Sequence, residues 1–284
     1  MDPVFSVVIP TYNQAGLLEK AIRSVINQSF EDWEIIVIDN YSSDDTQEVI
    51  KRLNDTRIQY IKFRNRGVIA ASRNKGISFA RGTYIAFLDS DDLWHPSKLS
   101  RCLDYLSRAA DAVCHGMRIC RNGRYGSDFI PKRPEHDFYE TLLYDGNSVI
   151  TTSTVIVKKD LLEKYGGFCE SPDVITAEDY DLWLRLLKQR VHWSVIPEIL
   201  GEYTMHSANS SNNVIRQMQA EYAVLREHTR ELSNRSLSIR MRIKKRQMMI
   251  AFRAGRRVQQ NGLWLQSIPI FIWGLSAPFK KMRY

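Results

Sequence analysis

The stretch IAFLDSDDLW, Ile85 to Trp94, runs four apolar residues into three carboxylates, Asp89, Asp91 and Asp92. The apolar part reads as a strand buried in a covered sheet, and the acids then sit at its carboxyl end, where open α/β sheets bind ligands. Three like charges within four positions repel one another. Water, a run of backbone N–H groups, or a cation carrying a phosphate has to compensate them. On its own the run also reads as an Asp-rich turn capping the helix that follows. It is not an EF-hand loop: counted from Asp89, position 6 is Trp94 where glycine is required, and position 12 is Ser100 where glutamate is required.

Working outward, strand and helix patterns alternate. FSVVIP is a β-branched run that Pro10 ends, and NQAGLLEKAIRSVINQ puts Leu17, Leu18, Ala21, Ile22, Val25 and Ile26 on one helical stripe. WEIIVIDN is a second buried strand, SSDDTQEVIKRLN a capped helix, IQYIKF a third strand and VIAASRNKGISFA a helix. TYIAFLD is the fourth strand, and HPSKLSRCLDYLSRA a helix with Pro96 in its first turn. This order predicts an α/β fold of right-handed βαβ units on a mostly parallel sheet. After Asp111 the pattern turns mixed. Asn122-Gly123 signals a hairpin, SVITTSTVIVKKDLLEKYGGF reads as a strand and short helix, TAEDYDLWLRLLKQ as a strong helix, and VHWSVIPEILGEYTMH as strand broken at Pro197. The polar run HSANSSNN, His206 to Asn213, marks a boundary.

The 284 residues, 44% hydrophobic, suit one large domain with an appendage. Cys102, Cys114, Cys120 and Cys169 form no CxxC pair and read as reduced, buried thiols of a cytosolic chain. The opening MDPVFSVVIP lacks the basic and long apolar regions of a signal peptide. Charge is unevenly spread. Val214 to Tyr284 holds 15 Lys/Arg and 3 Asp/Glu, so the tail carries +12 and the residues before it −4 of the net +8. An acidic body with a basic tail suggests chemistry in front and attraction to an anionic surface behind.

The ends of neighbouring strands converge on PTYNQ, Asp39 and the Asp89–Asp92 run. No GxGxxG follows the first strand and no GxxxxGK[ST] occurs, which argues against a dinucleotide fold and a P-loop. A nucleotide here needs another counter-charge, and Mg²⁺ or Mn²⁺ held by carboxylates supplies one.

SVVIPTYNQAGLLEKAIRSVINQSFEDWEIIVIDNYSSDDT, followed by NRGVIAASRNKGISFARGTYIAFLDSDD and later by GGF and TAEDYDLWLRL, resembles family 2 glycosyltransferases. The likeness covers Phe5 to Ser211 in ordered blocks. It implies a GT-A fold, Rossmann-like with a small antiparallel part, over 1–213. Residues 1–110 form its nucleotide-sugar half, 111–213 its acceptor-side half, and 214–284 a basic helical extension. It makes Asp89-Ser90-Asp91 a DxD motif, with Asp91 coordinating the metal and Asp89 at the ribose or a metal-bound water. Asp39 would accept from the nucleobase, usually uracil. Pro10, Thr11 and Asn13 would line the nucleotide cleft, with Arg73 near the nucleotide. By the same likeness His206 approaches the metal or diphosphate.

Glu178, Asp179 and Asp181 form a second acidic cluster. Thr176 and Asp179 resemble a capping box, and Asp181 pairs at i,i+4 with Arg185, so a structural reading is available. By the resemblance Asp179 is the catalytic base, with Glu178 second. The acceptor hydroxyl must lose its proton as it attacks the anomeric carbon opposite the leaving diphosphate, and a carboxylate near a helix N-terminus stays ionised at neutral pH, as a base must be. The expected reaction is metal-dependent single displacement with inversion, using a UDP-sugar. Two alternatives compete. An aspartate-nucleophile phosphatase accounts for FLDSDDL but leaves VVIPTYNQ and AEDYDLWLR unexplained. A catalytically idle GT-A partner subunit is disfavoured because Asp91 and Asp179 are both present. Trp94 and Trp183 are candidates for sugar stacking or for the core.

In the tail, RMRIKKRQMMIAFRAGRRVQQ interleaves basic and apolar residues, and Val258 to Phe279 carries no charge. That length would span a bilayer, but Gly262, Pro269, Gly274 and Pro278 favour an interfacial segment with Trp264 and Trp273 at headgroup depth. The expectation is peripheral attachment to the cytoplasmic face of an anionic membrane, suiting a lipid-linked saccharide acceptor. Packing against the catalytic domain and a homo-oligomer interface are the alternatives. No nucleic-acid reading motif is present.

Overall fold

The computed structural model describes residues 2–276 apart from Asn122, Lys132, Arg133, Glu135, His136, 147–149, 207–212, Glu231, 233–235, Asn261 and Leu263, and apart from the side chains of Trp264, Leu265, Trp273, Leu275 and Ser276. Two compact units divide it. The first comprises Met1–Arg133, Ser148–Glu170 and Arg185–Ser207; the second comprises Pro134–Asn147, Ser171–Leu184 and Ala208–Tyr284.

The first unit is built on one sheet. Strands β1 (Phe5–Thr11), β2 (Trp33–Asp39), β3 (Ile58–Lys62) and β4 (Tyr84–Phe87) pair in parallel in the order β3-β2-β1-β4. Every residue of β1 and β2 is buried, as expected for strands covered on both faces. Helices α1 (Ala15–Ile26), α2 (Thr46–Leu53) and α3 (Ile69–Phe79) make the crossovers. Leu18, Ala21, Ile22 and Val25 form the buried stripe of α1 and join Phe5, Val7, Ile9, Ile35 and Val37 in one core. The chain therefore carries the βαβ half that its alternating pattern predicts.

Beyond β4 the sheet continues through β8 (Ile156–Lys158, antiparallel to β4), β6 (Ala112–Arg121), β9 (Trp193–Met205) and β5 (Leu93–Trp94). The hairpin expected around Gly123 joins β6 to β7 (Arg124–Phe129); Gly123 has φ +74°, and Asn122 lies outside the described residues. Helices α4 (Lys98–Leu106) and α6 (Lys159–Tyr165) complete this unit.

Four local expectations need correction. Pro96 precedes α4 in a turn closed by Lys98 N–H to the His95 carbonyl, rather than lying in its first turn. Pro197 does not break its strand. β9 is continuous, and the register against β6 jumps from His115–Ile196 to Gly116–Ile199, so the residue without an N–H falls in the bulge. The strand expected in SVITTSTVIV is confined, among the described residues, to Ile156–Lys158, because Thr152–Thr154 forms a 3₁₀ turn first. Of the four free cysteines only Cys102 and Cys114 are buried.

The second unit is helical: α5 (Phe138–Asp145), a 3₁₀ turn (Pro172–Val174), the start of α7 (Glu178–Lys188), then α8 (Val214–Thr229), α9 (Leu237–Gln260) and α10 (Trp264–Ser276). Arg246 of α9 is fully buried and ion-pairs with Glu221, which also takes Arg253. His228 bonds Asp181 at 3.2 Å. Among the described residues no helix is long and apolar enough to cross a membrane.

Candidate active site

The acid loop leaves β4 and is held by partners far along the chain. Asp89 accepts from Arg73 Nη2 at 2.8 Å, and its N–H donates to Ser153 Oγ at 3.0 Å. Arg73 is buried on α3, with its guanidinium 5.2 Å from the centre of the Phe168 ring. Ser90 is buried and donates to Gln14 Oε1 at 2.5 Å. Asp91 Oδ2 lies 2.9 Å from His206 Nε2, just past the end of β9. Asp92 is buried and accepts the Thr204 N–H at 3.0 Å, and the Ser153 hydroxyl donates to it. A guanidinium, an imidazole, a hydroxyl and backbone N–H groups face this loop.

The compensation is incomplete at Asp91. Burial, then repulsion from Asp89, pushes its pKa up, and His206 only partly opposes them. Asp92 is driven well up by burial, then by Asp91 and Asp89. No three His, Cys, Asp or Glu side chains converge on one point among the described residues. Asp91 and His206 offer two donor atoms on a site with unrelieved negative charge. That set fits Mg²⁺ or Mn²⁺ of the kind that takes its other ligands from substrate phosphates and water, and does not fit an all-protein cage.

A second stretch of the same network closes the ends of β1 and β2. Thr11 and Asp39 are register partners. The buried Asp39 accepts from Ser42 N–H at 3.0 Å, Ser42 Oγ at 2.5 Å and Tyr60 OH at 2.6 Å; burial, followed by this bond to Asp39, raises the Tyr60 pKa. Asn13, at φ +50°, donates its N–H to Ser42 Oγ and accepts from Ser43 N–H, both at 2.8 Å. Pro10 is buried beside them in β1. The Thr11 hydroxyl is buried without a hydrogen-bond partner among the described residues. Gln14 joins this stretch to Ser90, so Pro10, Thr11, Asn13, Asp39, Arg73, Asp89, Ser90, Asp91 and His206 belong to one contiguous region.

Glu178 and Asp179 belong to the other unit. Glu178 Oε2 accepts the Thr176 N–H at 2.8 Å, and Asp179 Oδ1 accepts the Tyr180 N–H at 2.7 Å. The capping box expected from Thr176 is not formed. Ala177 N–H closes onto the Val174 carbonyl, Thr176 is thrown to φ +83°, and its buried hydroxyl has no partner among the described residues. Arg185 donates to the carbonyls of Tyr165, Gly166 and Gly167. Trp94 and Trp183 are both buried core residues rather than stacking platforms.

Sequence reasoning missed three positioning groups. Ser153 is the hub of the acid loop: its hydroxyl serves Asp89 and Asp92, and its carbonyl accepts from Trp94 Nε1 at 3.0 Å and from the buried Lys98 Nζ at 3.1 Å. Asn74 clasps the GGF loop, accepting from Phe168 N–H and donating to the Phe168 carbonyl, both at 2.8 Å. Ser42 joins Asp39 to Asn13. Nothing in the spacing of TTST or RNKG signals the roles of Ser153 and Asn74, which come from contacts tens of residues away; Ser42 reaches Asp39 within three positions and Asn13 across 29.

A mostly parallel sheet with flanking helices, continued by an antiparallel region, is the architecture of the GT-A glycosyltransferases. Residues 6–166 match the glycosyl transferase family 2, and the chain belongs to that family. This sets the phosphatase reading aside. TuaG of Bacillus subtilis, assigned to teichuronic acid biosynthesis, is 30% identical over 228 residues, 79% of this chain and 88% of its own. WfgD of Escherichia coli, a UDP-Glc:alpha-D-GlcNAc-diphosphoundecaprenol beta-1,3-glucosyltransferase, is 29% identical over 79% of this chain and 86% of its own. The fold resembles S. aureus TarS in complex with UDP-GlcNAc (TM-score 0.62, 20% identity, 96% of this chain and 81% of that one). It also resembles the mannosyltransferase PcManGT of Pyrobaculum calidifontis with GDP-Man and Mn²⁺ (TM-score 0.64, 18% identity, 99% and 77%).

Proposed function

We propose that this glycosyltransferase moves a sugar, with inversion, from a UDP-sugar to a hydroxyl of a lipid-linked saccharide during assembly of a surface polysaccharide. The observation that carries the reading is the acid loop, where Asp91 and His206 stand together on a site whose negative charge is only partly offset. TuaG and WfgD, by their names, work in polysaccharide assembly and on an undecaprenol-linked acceptor, which supports the acceptor class.

In this reading Thr11, Asn13 and Asp39 hold the base and ribose against Pro10. Arg73 fixes Asp89, and Asp89 and Ser90 meet the ribose. Asp91 with His206 would hold Mn²⁺ or Mg²⁺, which when bound stabilises the departing diphosphate as a Lewis acid; Asp89, expected as a third metal group, does not converge with them and is held by Arg73 instead. Asp179 takes the proton from the acceptor hydroxyl, and Glu178 fixes the backbone just before it. The domain running to 213 does the chemistry, and the basic extension 214–284 attaches it to the cytoplasmic face of an anionic membrane.

Calorimetric titration of UDP, GDP, CDP and ADP, with and without Mn²⁺, tests the donor side. UDP binding that needs Mn²⁺ and weakens at least about tenfold in Asp91→Asn, or about 1.4 kcal/mol, is expected. Asp179→Asn keeps that binding and loses transfer. Metal-independent binding, or an Asp91→Asn variant that binds as wild type does, overturns the reading.

A further inference from the structure

Helix α9 buries one side and, beside its contact with α10, where Phe252 meets Phe271 at 5.7 Å, leaves large apolar side chains exposed. Ile243, Arg246, Ile250, Ala254 and Val258 face the interior of the second unit. On the opposite side Met241, Met248 and Phe252 follow one another at helical spacing, with Met241 64% and Phe252 54% exposed. Water-facing residues of this kind in an ordinary helix are polar; these are large and apolar.

This face is also shaped. α10 returns antiparallel along α9, with Gln259 bonded to Ser267 near the turn. Two glycines let the helices approach closely. A methyl at Gly255 would meet the Phe271 ring, and one at Gly274 would meet Ala251. The result is a groove of about 560 Å³ walled by Met241, Met248, Met249, Phe252 and Phe271, with Lys244 and Lys245 on its lining. That volume is in the range that holds a small apolar ligand. Arg256 lies over the Phe252 ring at 5.5 Å.

Charge decides what covers it. α9 carries Arg240, Arg242, Lys244, Lys245, Arg246, Arg253, Arg256 and Arg257 and no acidic residue. A two-fold contact with a second copy would set this helix against itself, like charge to like. A nucleic acid would use the cations and leave the thioether-walled groove empty. An anionic lipid uses both: its phosphate answers the cations and its chain answers the methionines.

We infer that the α9–α10 groove is the membrane seat of this chain. It takes the hydrocarbon of an anionic phospholipid against Met241, Met248, Phe252 and Phe271, and the phosphate at Lys244, Lys245 and Arg256. The inference rests on the membrane attachment in the proposed function and names the surface that makes it.

The test is sedimentation of the full chain with phosphatidylglycerol–phosphatidylcholine vesicles, against phosphatidylcholine alone, at low and high salt. Wild type binds the anionic vesicles at least tenfold more tightly than the neutral ones. M248E/F252E binds the anionic vesicles at least tenfold more weakly than wild type. K244Q/K245Q also weakens binding and flattens its salt dependence. All four positions are exposed, and the melting temperature of each variant checks its fold. Absent or headgroup-independent binding by wild type overturns the inference, as does full binding by M248E/F252E. So does concentration-dependent dimerisation that M248E/F252E abolishes, which would make the face an interface between copies. Metal-dependent UDP binding is measured on the same preparations and stays unchanged in all variants. If wild type lacks it while vesicle binding holds, the donor reading fails and the membrane seat stands.

Discussion

Replacing Ser153 by alanine removes one oxygen from a fully buried position. That oxygen accepts the Asp89 N–H at 3.0 Å and donates to the buried Asp92. The variant leaves the Asp89 N–H without its acceptor and Asp92 with the Thr204 N–H as its remaining named donor. Stranding a buried polar group costs about 1–3 kcal/mol, and the two losses share one relaxing loop, so about 2–4 kcal/mol is expected in all. At roughly 2–4 °C per kcal/mol this lowers the melting temperature by roughly 4–16 °C. The loop that carries Asp89 and Asp91 also loses its anchor, so metal-dependent UDP affinity falls by at least about tenfold, 1.4 kcal/mol. Calorimetry measures both quantities, with Ser78→Ala as control, since Ser78 bonds only the Lys75 carbonyl on an exposed helix face. That control stays within about 0.5 kcal/mol. A Ser153→Ala protein that melts with wild type and binds UDP as tightly would refute the claim that this hydroxyl positions the acid loop.

Gly167→Ala drives its methyl into the Asn74 side-chain oxygen. It and Asn74→Ala each cost about 1–2 kcal/mol in urea unfolding, and the double variant costs little more than either, because both remove one set of bonds; full additivity would contradict the clasp. Glu34 is buried between Ser6 and Arg81. Burial raises its pKa, but the Arg81 N–H, the Ser6 hydroxyl and the Arg81 guanidinium together hold it below the ordinary 4.5. Its contribution is complete above that value and is lost as pH falls through the folded pKa. Glu34→Gln therefore melts below wild type at neutral pH, and the two converge in acid; a gap that stays constant on acidification would show that the pairing adds nothing.

The parallel half was legible in the sequence because β1 and β2 are buried on every side and α1 shows an unbroken apolar stripe. These are local patterns with one solution. The two-residue β5 was not, since Leu93 and Trp94 pair with Gly201 and Glu202 only through the closed sheet. Pro197 misled for a similar reason: its local signal says break, while pairing with β6 continues on either side of a bulge in β9 that takes the proline. In the site, the Asp89–Asp92 acids could be picked out because three carboxylates at a strand end are unusual chemistry, whereas Arg73, inside α3, was reached only through the family resemblance. Ser153, Asn74 and Ser42 could not, because a serine or asparagine becomes a strut only through what folds against it. The Thr176 box failed because the preceding 3₁₀ turn rotates the threonine away from the helix.

The bonds from His206 to Asp91 and from Thr204 to Asp92 cross more than a hundred positions of chain. Contacts that distant close only after the intervening loops have folded, since loop entropy must be overcome first. During synthesis the four parallel strands are all made before β9 exists, so Asp91 and Asp92 spend that interval without the partners that β9 and its end supply. On the proposed function, nucleotide binding is therefore a property of the finished sheet, and arrives when the ninth strand zips along the sixth.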